Sequence, residues 1–275
     1  MVHTSLEYAE YAALRRVNNT ALRRVREKGA RYAYDQDKPT DAMEDGIAIH
    51  CLALEPDAWD ERYVAIDDDA IAAACVTTDG KKPKSPRATK QFEEAIDAIR
   101  LANPGKIVVT QKQFGIYQAA ARQAAELLPQ NYVSEITLTW DDERHPAGYK
   151  ARLDAFNGQT IYDVKTTADI SEPLLLPYRK GYHHQMAFYR EGVRAELGVE
   201  SRVVLIIVSS MAMGAVSVEL PSEALDIGSK QIDKDIRSLY RYEQGLTTGF
   251  MGCEMPREVI APVPNWLKHQ GAVNV

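Results

Sequence analysis

The sequence predicts an α/β protein, with a mixed central sheet flanked by helices and preceded by a helical extension. Three observations carry that prediction. Over the second half of the 275 residues, helix-like and strand-like segments follow in the order helix, three strands, helix, strand, strand, helix. Asn157-Gly158 stands between two alternating segments, which is a strong hairpin signal. The run from Val203 to Ser209 is almost wholly apolar, the pattern of a buried strand.

In chain order, residues 5 to 34 read as two helical stretches broken at Asn18-Asn19-Thr20, where Asn or Thr can cap the second. Between Leu14 and Arg31 stand Arg15, Arg16, Arg23, Arg24, Arg26, Lys28 and Arg31 against Glu27 alone. Such a run is either a solvated helix face or a phosphate-contacting one. A third helix runs from about Asp41 to Leu54, with Met43, Ile47, Leu54 and Cys51 on its apolar side, Gly46 allowing close packing, and His50 beside the stripe. From Asp67 to Pro104 the chain reads as irregular, and Thr77 to Pro86 as an exposed basic loop, a solvated insertion or a substrate-contacting arm. Gln111 to Leu128 is a helix closed by Pro129. Tyr132 to Trp140, Tyr149 to Phe156 and Gln159 to Thr166 are strands, Tyr182 to Leu197 is a helix ending at Gly198, Gly214 to Leu220 is a strand, and Pro221 opens a last helix to about Gly245. Residues 1–110 are thus expected to form a helical part carrying His50 and the basic loop, and residues 111–275 the core, the two integrated as one domain.

At 45% apolar and 26% charged residues, the composition is that of an ordinary globular protein and not of a disordered, collagenous or coiled-coil chain. No apolar run reaches the roughly 20 residues of a membrane helix, and MVHTSLEYAE has no secretory apolar region, so a cytoplasmic protein without membrane contact is expected. Cys51, Cys75 and Cys253 are widely spaced with no CxxC, which points to buried thiols rather than a zinc ribbon or iron–sulfur cluster. There is no G-x-x-x-x-G-K-[ST] loop, hence no nucleotide cofactor, and no G-x-S-x-G or H-E-x-x-H. The net charge of −6, from 39 acidic and 33 basic residues, excludes coating nucleic acid by bulk charge but leaves room for local basic surfaces.

The chemistry concentrates on the hairpin. With a two-residue turn at Asn157-Gly158, Asp154 faces Ile161, and Lys150, Arg152 and Asp154 share one face with Ile161, Asp163 and Lys165. The other face, Tyr149, Ala151, Leu153 and Ala155 with Tyr162, Val164 and Thr166, reads as core. The two aspartates then lie diagonally, about 7 Å apart at the backbone, and can converge on one ion. A hard divalent cation such as Mg²⁺ resolves the repulsion between such carboxylates, and the backbone carbonyl of Val164 can add a ligand. Lys165, one alternation past Asp163, can orient a metal-bound hydroxide or stabilise charge developing on a phosphate. By itself an Asp-x-Lys triplet is weak, since Asp79-Gly80-Lys81 has the same form in a loop.

Context sharpens it. The chain carries Gly46-Ile47-Ala48-Ile49-His50 with Leu52 and Glu55-Pro56, then Glu135-Ile136-Thr137-Leu138-Thr139-Trp140, Lys150-Ala151-Arg152-Leu153-Asp154, Asp163-Val164-Lys165-Thr166-Thr167 and Gln185-Met186-Ala187-Phe188-Tyr189. These motifs, from about Asn18 to about Tyr242, resemble in their order the PD-(D/E)xK nuclease superfamily and, within it, the RecE-like (exodeoxyribonuclease VIII-like) phage and prophage exonucleases.

The resemblance implies a restriction-endonuclease-like fold in which Asp154 and Asp163 are the central metal ligands and Lys165 the catalytic lysine. His50 would reach the same metal from the N-terminal helix. Glu135 either completes the metal site or is a solvent-side strand carboxylate. Gln185 and Tyr189, four apart and so on one helix face, look like the Q-x-x-x-Y motif of the RecB-like branch, binding a phosphate or the surroundings of the lysine. DNA contacts are expected at Lys150, Arg152, Arg179, Lys180, Arg23 and Arg24, and at one of His183 and His184. The likeness departs at Lys28-Gly29-Ala30-Arg31-Tyr32, where the family usually has Ser-Pro before an aromatic. The implied activity is a Mg²⁺-dependent exonuclease, Mn²⁺ being a possible substitute, that works 5′ to 3′ from double-stranded DNA ends in phage-type recombination. A RecT-type single-strand annealing protein and a homo-oligomeric ring are the partners such proteins imply. The alternatives are a structure-specific endonuclease and a non-catalytic, DNA-binding member of the fold.

Overall fold

The structure is a computed structural model and describes residues 1–4, 6–36 and 38–250. Cys253 and the rest of residues 251–275 lie outside the described residues. The chain begins with β1 (Val2–His3), α1 (Tyr8–Ala13) and α2 (Asn19–Lys28). Asn18 Oδ1 accepts the amide of Ala21 at 2.8 Å and so starts α2, as its position before an amphipathic run predicts. Thr40 caps α3 (Asp41–Leu54), which is followed by α4 (Trp59–Arg62), β2 (Tyr63–Ile66), α5 (Asp68–Ala74), α6 (Lys90–Ala102) and β3 (Ile107–Thr110). Thr110 and Gln113 form a reciprocal capping box at the start of α7 (Gln111–Ala125). Then come β4 (Val133–Asp142), β5 (His145–Phe156), β6 (Thr160–Thr167), α8 (Leu176–Arg179) and α9 (Tyr182–Leu197). Gly198, at φ 68°, ends α9 in the left-handed conformation that glycine tolerates. The described chain closes with β7 (Arg202–Ser209), β8 (Ala215–Glu219) and α10 (Ser222–Glu243).

Six strands form one mixed sheet in the order β1-β4-β5-β6-β7-β8, in which β6 and β7 are parallel and the other neighbours antiparallel. Alternation along β7 divides the interior. Val203, Leu205 and Ile207 enter a first core with α2, α9 and α10, whereas Ile206 and Val208 enter a second with α3 and α7. Helices therefore cover both faces, and the nearly all-apolar run of β7 is the consequence. The predicted α/β architecture is observed, and β1 and α2 belong to the same sheet and core as the second half. Cys51 and Cys75 are buried thiols, as expected. Among the described residues no helix is long and apolar enough to cross a membrane.

Four expectations change. The stretch from Asp67 to Pro104 holds α5 and α6, and α6 buries none of its residues fully, so its helical signal is unsupported by a core stripe. β1 and the small parallel pair of β2 with β3 are only two to four residues long, too short to show a period. Met43 and Ile47 are exposed, because α3 packs against α7 and β6 through Ala48, Ile49 and Cys51 instead. The hairpin register also shifts: Asn157 Oδ1 accepts the amides of Gln159 and Thr160, the loop lengthens, and Phe156 pairs with Ile161 rather than Gln159. The supposed single core face also splits, with Tyr149, Ala151 and Leu153 in the first core and Ala155 and Val164 in the second.

Candidate active site

Extending the observed register puts Asp154 opposite Asp163, not on its diagonal, and there the strands part. Ladder pairing stops at Ala155 and Tyr162, and Asp154 Oδ2 accepts the amide of Val164 at 2.8 Å in place of a backbone carbonyl. The opening in the sheet is thus bridged by a carboxylate. On the other side of β5 the partner of Asp154 would be Glu135, but pairing jumps from Ser134 to Ile136. Glu135 has φ 56°, a left-handed conformation that costs a glutamate of order 1–3 kcal/mol. Its carboxylate lies between two cations, with Oε1 3.6 Å from His50 Nδ1 and Oε2 paired with Arg152 Nε.

His50, on α3, completes the cluster, its Nε2 lying 2.7 Å from Asp154 Oδ2. Gly46, one helical turn earlier, makes this approach possible: a Cβ there would come within 2.8 Å of Thr166 Oγ1 on β6. Donor atoms of His50, Glu135 and Asp154 lie within 4.8 Å of one another, close enough to hold one metal ion. Asp163 lies beside Lys165, with Nζ 2.5 Å from Oδ2. It is fully buried, and beyond the ion pair with Lys165 neither of its oxygens accepts a hydrogen bond. A buried carboxylate left in that state is costly unless a cation fills the gap. This donor set, carboxylates with one imidazole, fits a divalent ion.

The electrostatics follow from burial and crowding. Burial opposes charge on His50, but Asp154, Glu135 and Asp163 outweigh it and lift its pKa to about 9. Burial, and then Asp154, push Asp163 up to about 7 against the pull of Lys165. Asp154 goes the other way: burial resists its charge, yet His50 and Lys165 hold it below the usual carboxylate range. Burial lifts Glu135 despite Arg152. Lys165 is buried as well, but Asp163 and Asp154 raise its pKa, so it is a fixed cation. One charge-rich centre therefore holds three acids, Asp163 and Glu135 shifted up and Asp154 down, beside a histidine shifted up, as is typical of functional sites.

Gln185 and Tyr189 share a face of α9 as predicted, and Gln185 Nε2 donates to the Tyr189 hydroxyl at 2.8 Å. Tyr182, not singled out in the sequence, places its ring 5.2 Å from Lys165 Nζ. Its spacing of three to Gln185 and seven to Tyr189 was the available signal. Tyr11, 4.7 Å from Lys150 Nζ and 6.0 Å from Arg152, comes from far away in sequence and left no local trace.

The expected DNA-contacting residues divide. Lys150 is buried and donates to the carbonyls of Tyr11, Ala12 and Leu14 at 2.7 to 3.1 Å, so it ties down the end of α1 and cannot face a phosphate. Arg152 is likewise committed to Glu135 and to the Leu6 carbonyl. Both corrections have the same cause: the N-terminal segment covers the face that alternation alone leaves open. Arg23 and Lys180 are exposed and line a small cleft of about 150 Å³ beside Tyr182 and Gln185. Arg179 is exposed and paired with Glu172, and Arg24 reaches toward the Ala33 carbonyl. His183 is buried with Nδ1 3.2 Å from the Pro177 carbonyl, and His184 lies against Arg26, so neither presents itself to a DNA strand.

Comparisons with known proteins agree with this picture. No curated protein matches the chain in sequence. A crystal structure from Eubacterium rectale, described as a "Putative exonuclease", superposes with a TM-score of 0.55 at 14% identity, covering 98% of this chain and 99% of that one. At that identity the likeness is one of fold. The family described as "PDDEXK-like domain of unknown function (DUF3799)" matches residues 11–255, which include every residue of the His50, Glu135, Asp154, Asp163 and Lys165 centre. The chain belongs to this PDDEXK-like family.

Proposed function

We propose that the protein is a metal-dependent deoxyribonuclease that hydrolyses phosphodiester bonds from the ends of linear double-stranded DNA. The observation that carries this reading is Asp163, a buried carboxylate with no hydrogen bond beyond its ion pair with the fixed cation Lys165, beside the Asp154–His50–Glu135 cluster. A divalent cation bound there supplies Lewis acidity and an acidified water. The chain's own groups do the rest. Asp154 and Asp163 concentrate negative charge that only a cation makes compatible with a phosphate. Lys165 keeps its proton and offers a donor to charge developing on the phosphate. Gln185 and Tyr189, joined to each other, present an amide and a phenol on the α9 face toward that centre. Mg²⁺ is the expected ion, with Mn²⁺ able to replace it.

The preference for ends, the 5′ to 3′ direction, the role in recombination beside an annealing protein and assembly into a ring rest on the RecE-like motif order. The name of the fold neighbour supports the first of these. The test is end-labelled linear duplex and closed circular duplex incubated with Mg²⁺ or with EDTA. Degradation of the linear form alone, dependent on metal and slowed about a hundredfold or more by Lys165→Ala, is the expected result. Cutting of the circle selects the endonuclease reading. No cleavage of either form with Mg²⁺, or with Mn²⁺ in its place, overturns the proposal.

A further inference from the structure

We infer that the cavity between α1, α2 and the start of β5 is a subsite for an unpaired DNA strand adjoining the site above. The inference rests on the nuclease reading and deepens it. The cavity has a volume of about 720 Å³, within the usual size range of ligand sites, and none of the proposed metal-binding or catalytic residues lines it. Tyr8, Tyr11 and Tyr34 line it together with Arg15, Arg16 and Arg24, against the single acid Asp35. Tyr8 and Tyr34 are 67% and 59% exposed, an unusual outlay of aromatic surface, and the rings of Tyr8 and Tyr11 lie 6.2 Å apart. Arg15 is exposed, whereas Arg16 is held by Asp141.

Aromatic faces interleaved with guanidinium groups match a chain in which every unit carries one flat base and one negative phosphate. A duplex hides its base faces in the stack, so only unpaired nucleotides can use the tyrosines. Tyr11 supplies the continuity with the acidic centre: its ring borders Arg152, Arg152 binds Glu135, and Glu135 faces His50. A strand separated from its complement at the metal site therefore has a stacking surface joined to that site through Tyr11, Arg152 and Glu135.

The test is fluorescence anisotropy of a labelled decathymidylate with protein in EDTA, so that no strand is cut, with thymidine monophosphate and a blunt duplex as competitors. Tyr8→Ala, Tyr34→Ala and Arg15→Glu are compared with Arg100→Glu, an exposed arginine on α6. Each tyrosine change is expected to weaken binding roughly fivefold or more, the usual worth of one stacked base. Arg15→Glu is expected to weaken binding and flatten its salt dependence, and Arg100→Glu to leave it unchanged. Unchanged binding in all three variants, each folded by circular dichroism, overturns the inference, as does competition by thymidine monophosphate or duplex at equal affinity. If binding is unaffected while the wild type still degrades linear duplex with Mg²⁺, the subsite fails and the nuclease reading stands. Binding lost in the variants of a wild type that never cleaves has the opposite meaning.

Discussion

Replacing Asp163 by asparagine tests the electrostatic account of the site most directly. In the folded protein, burial and Asp154 raise the pKa of Asp163 from 3.8 to about 7. The folded state therefore holds a proton between about pH 4 and pH 7 that the unfolded chain has released, so stability falls as pH rises through that window and stays low above it. Three pKa units correspond to about 4 kcal/mol as an upper bound. Asparagine keeps the shape and cannot ionise, so the variant lacks this fall, although Lys165 loses part of its pairing. In EDTA at pH 8, Asp163→Asn is expected to melt several degrees above the wild type, on the scale of about 2–4 °C per kcal/mol for a chain of this size. At pH 4.5 the gap should shrink or vanish. Mg²⁺ at pH 8 should raise the wild-type melting temperature and leave that of the variant nearly unchanged. Calorimetric or fluorescence melts at the two pH values, with and without metal, measure all three. A variant that melts below the wild type by the same margin at both pH values, or that gains as much from Mg²⁺, refutes the reasoning.

Metal binding must displace the proton of His50, whose pKa of about 9 leaves it charged at neutral pH, so calorimetric titration with Mn²⁺ at pH 7.5 is expected to release protons, read as a dependence of heat on buffer ionisation. Lys165→Ala should lower the cleavage rate about 10²- to 10³-fold and also lower the melting temperature at pH 8, because Asp163 loses its counter-charge, measured by single-turnover kinetics and thermal melts. Lys150→Met should cost about 1.5–3 kcal/mol in denaturant unfolding, because three carbonyls lose a charged donor, and should leave the salt slope of DNA binding unchanged, while Arg23→Ala and Lys180→Ala each lower that slope by about one. Gly192→Ala should destabilise the fold by about 1–3 kcal/mol, since its methyl would lie 2.7 Å from Trp140 Cζ3.

What the sequence disclosed depended on how local the controlling interaction was. The bounds of α9 could be read closely because a glycine stands at each end, Gly181 and Gly198, both with φ 68°. β7 was legible because burial on both faces leaves its interior, Val203 to Val208, without a polar residue. The hairpin was legible in existence but not in register, since the Asn157 side chain, by accepting two amides, overrides the two-residue turn that Asn-Gly normally forms. Lys150 and Arg152 were misread because their carbonyl partners lie about 140 residues away, in a segment whose path no pattern within β5 reveals. His50 was legible only through its motif. Nothing in the helical periodicity of α3 distinguishes it from Ile47, which the same reading wrongly placed in the core.

The irregularities of the sheet coincide, and that coincidence bears on Glu135. Pairing of β4 with β5 lapses at Glu135 and Asp154, pairing of β5 with β6 stops just before Asp154 and Asp163, Glu135 is strained, and Asp163 has no hydrogen bond beyond its ion pair with Lys165. Each feature lowers stability separately, and a fold gains nothing structural by collecting them in one place. The left-handed turn at Glu135 does have a positional effect, since it accompanies the lapse in pairing opposite Asp154 and leaves the carboxylate shared between His50 and Arg152. Because Arg152 holds Oε2 while Oε1 faces His50, one oxygen remains for a cation without releasing the arginine. Arg152 is then the residue that aims Glu135, whose carboxylate stands with donor atoms of His50 and Asp154, all within 4.8 Å of one another, and is not an ordinary solvent-side strand acid.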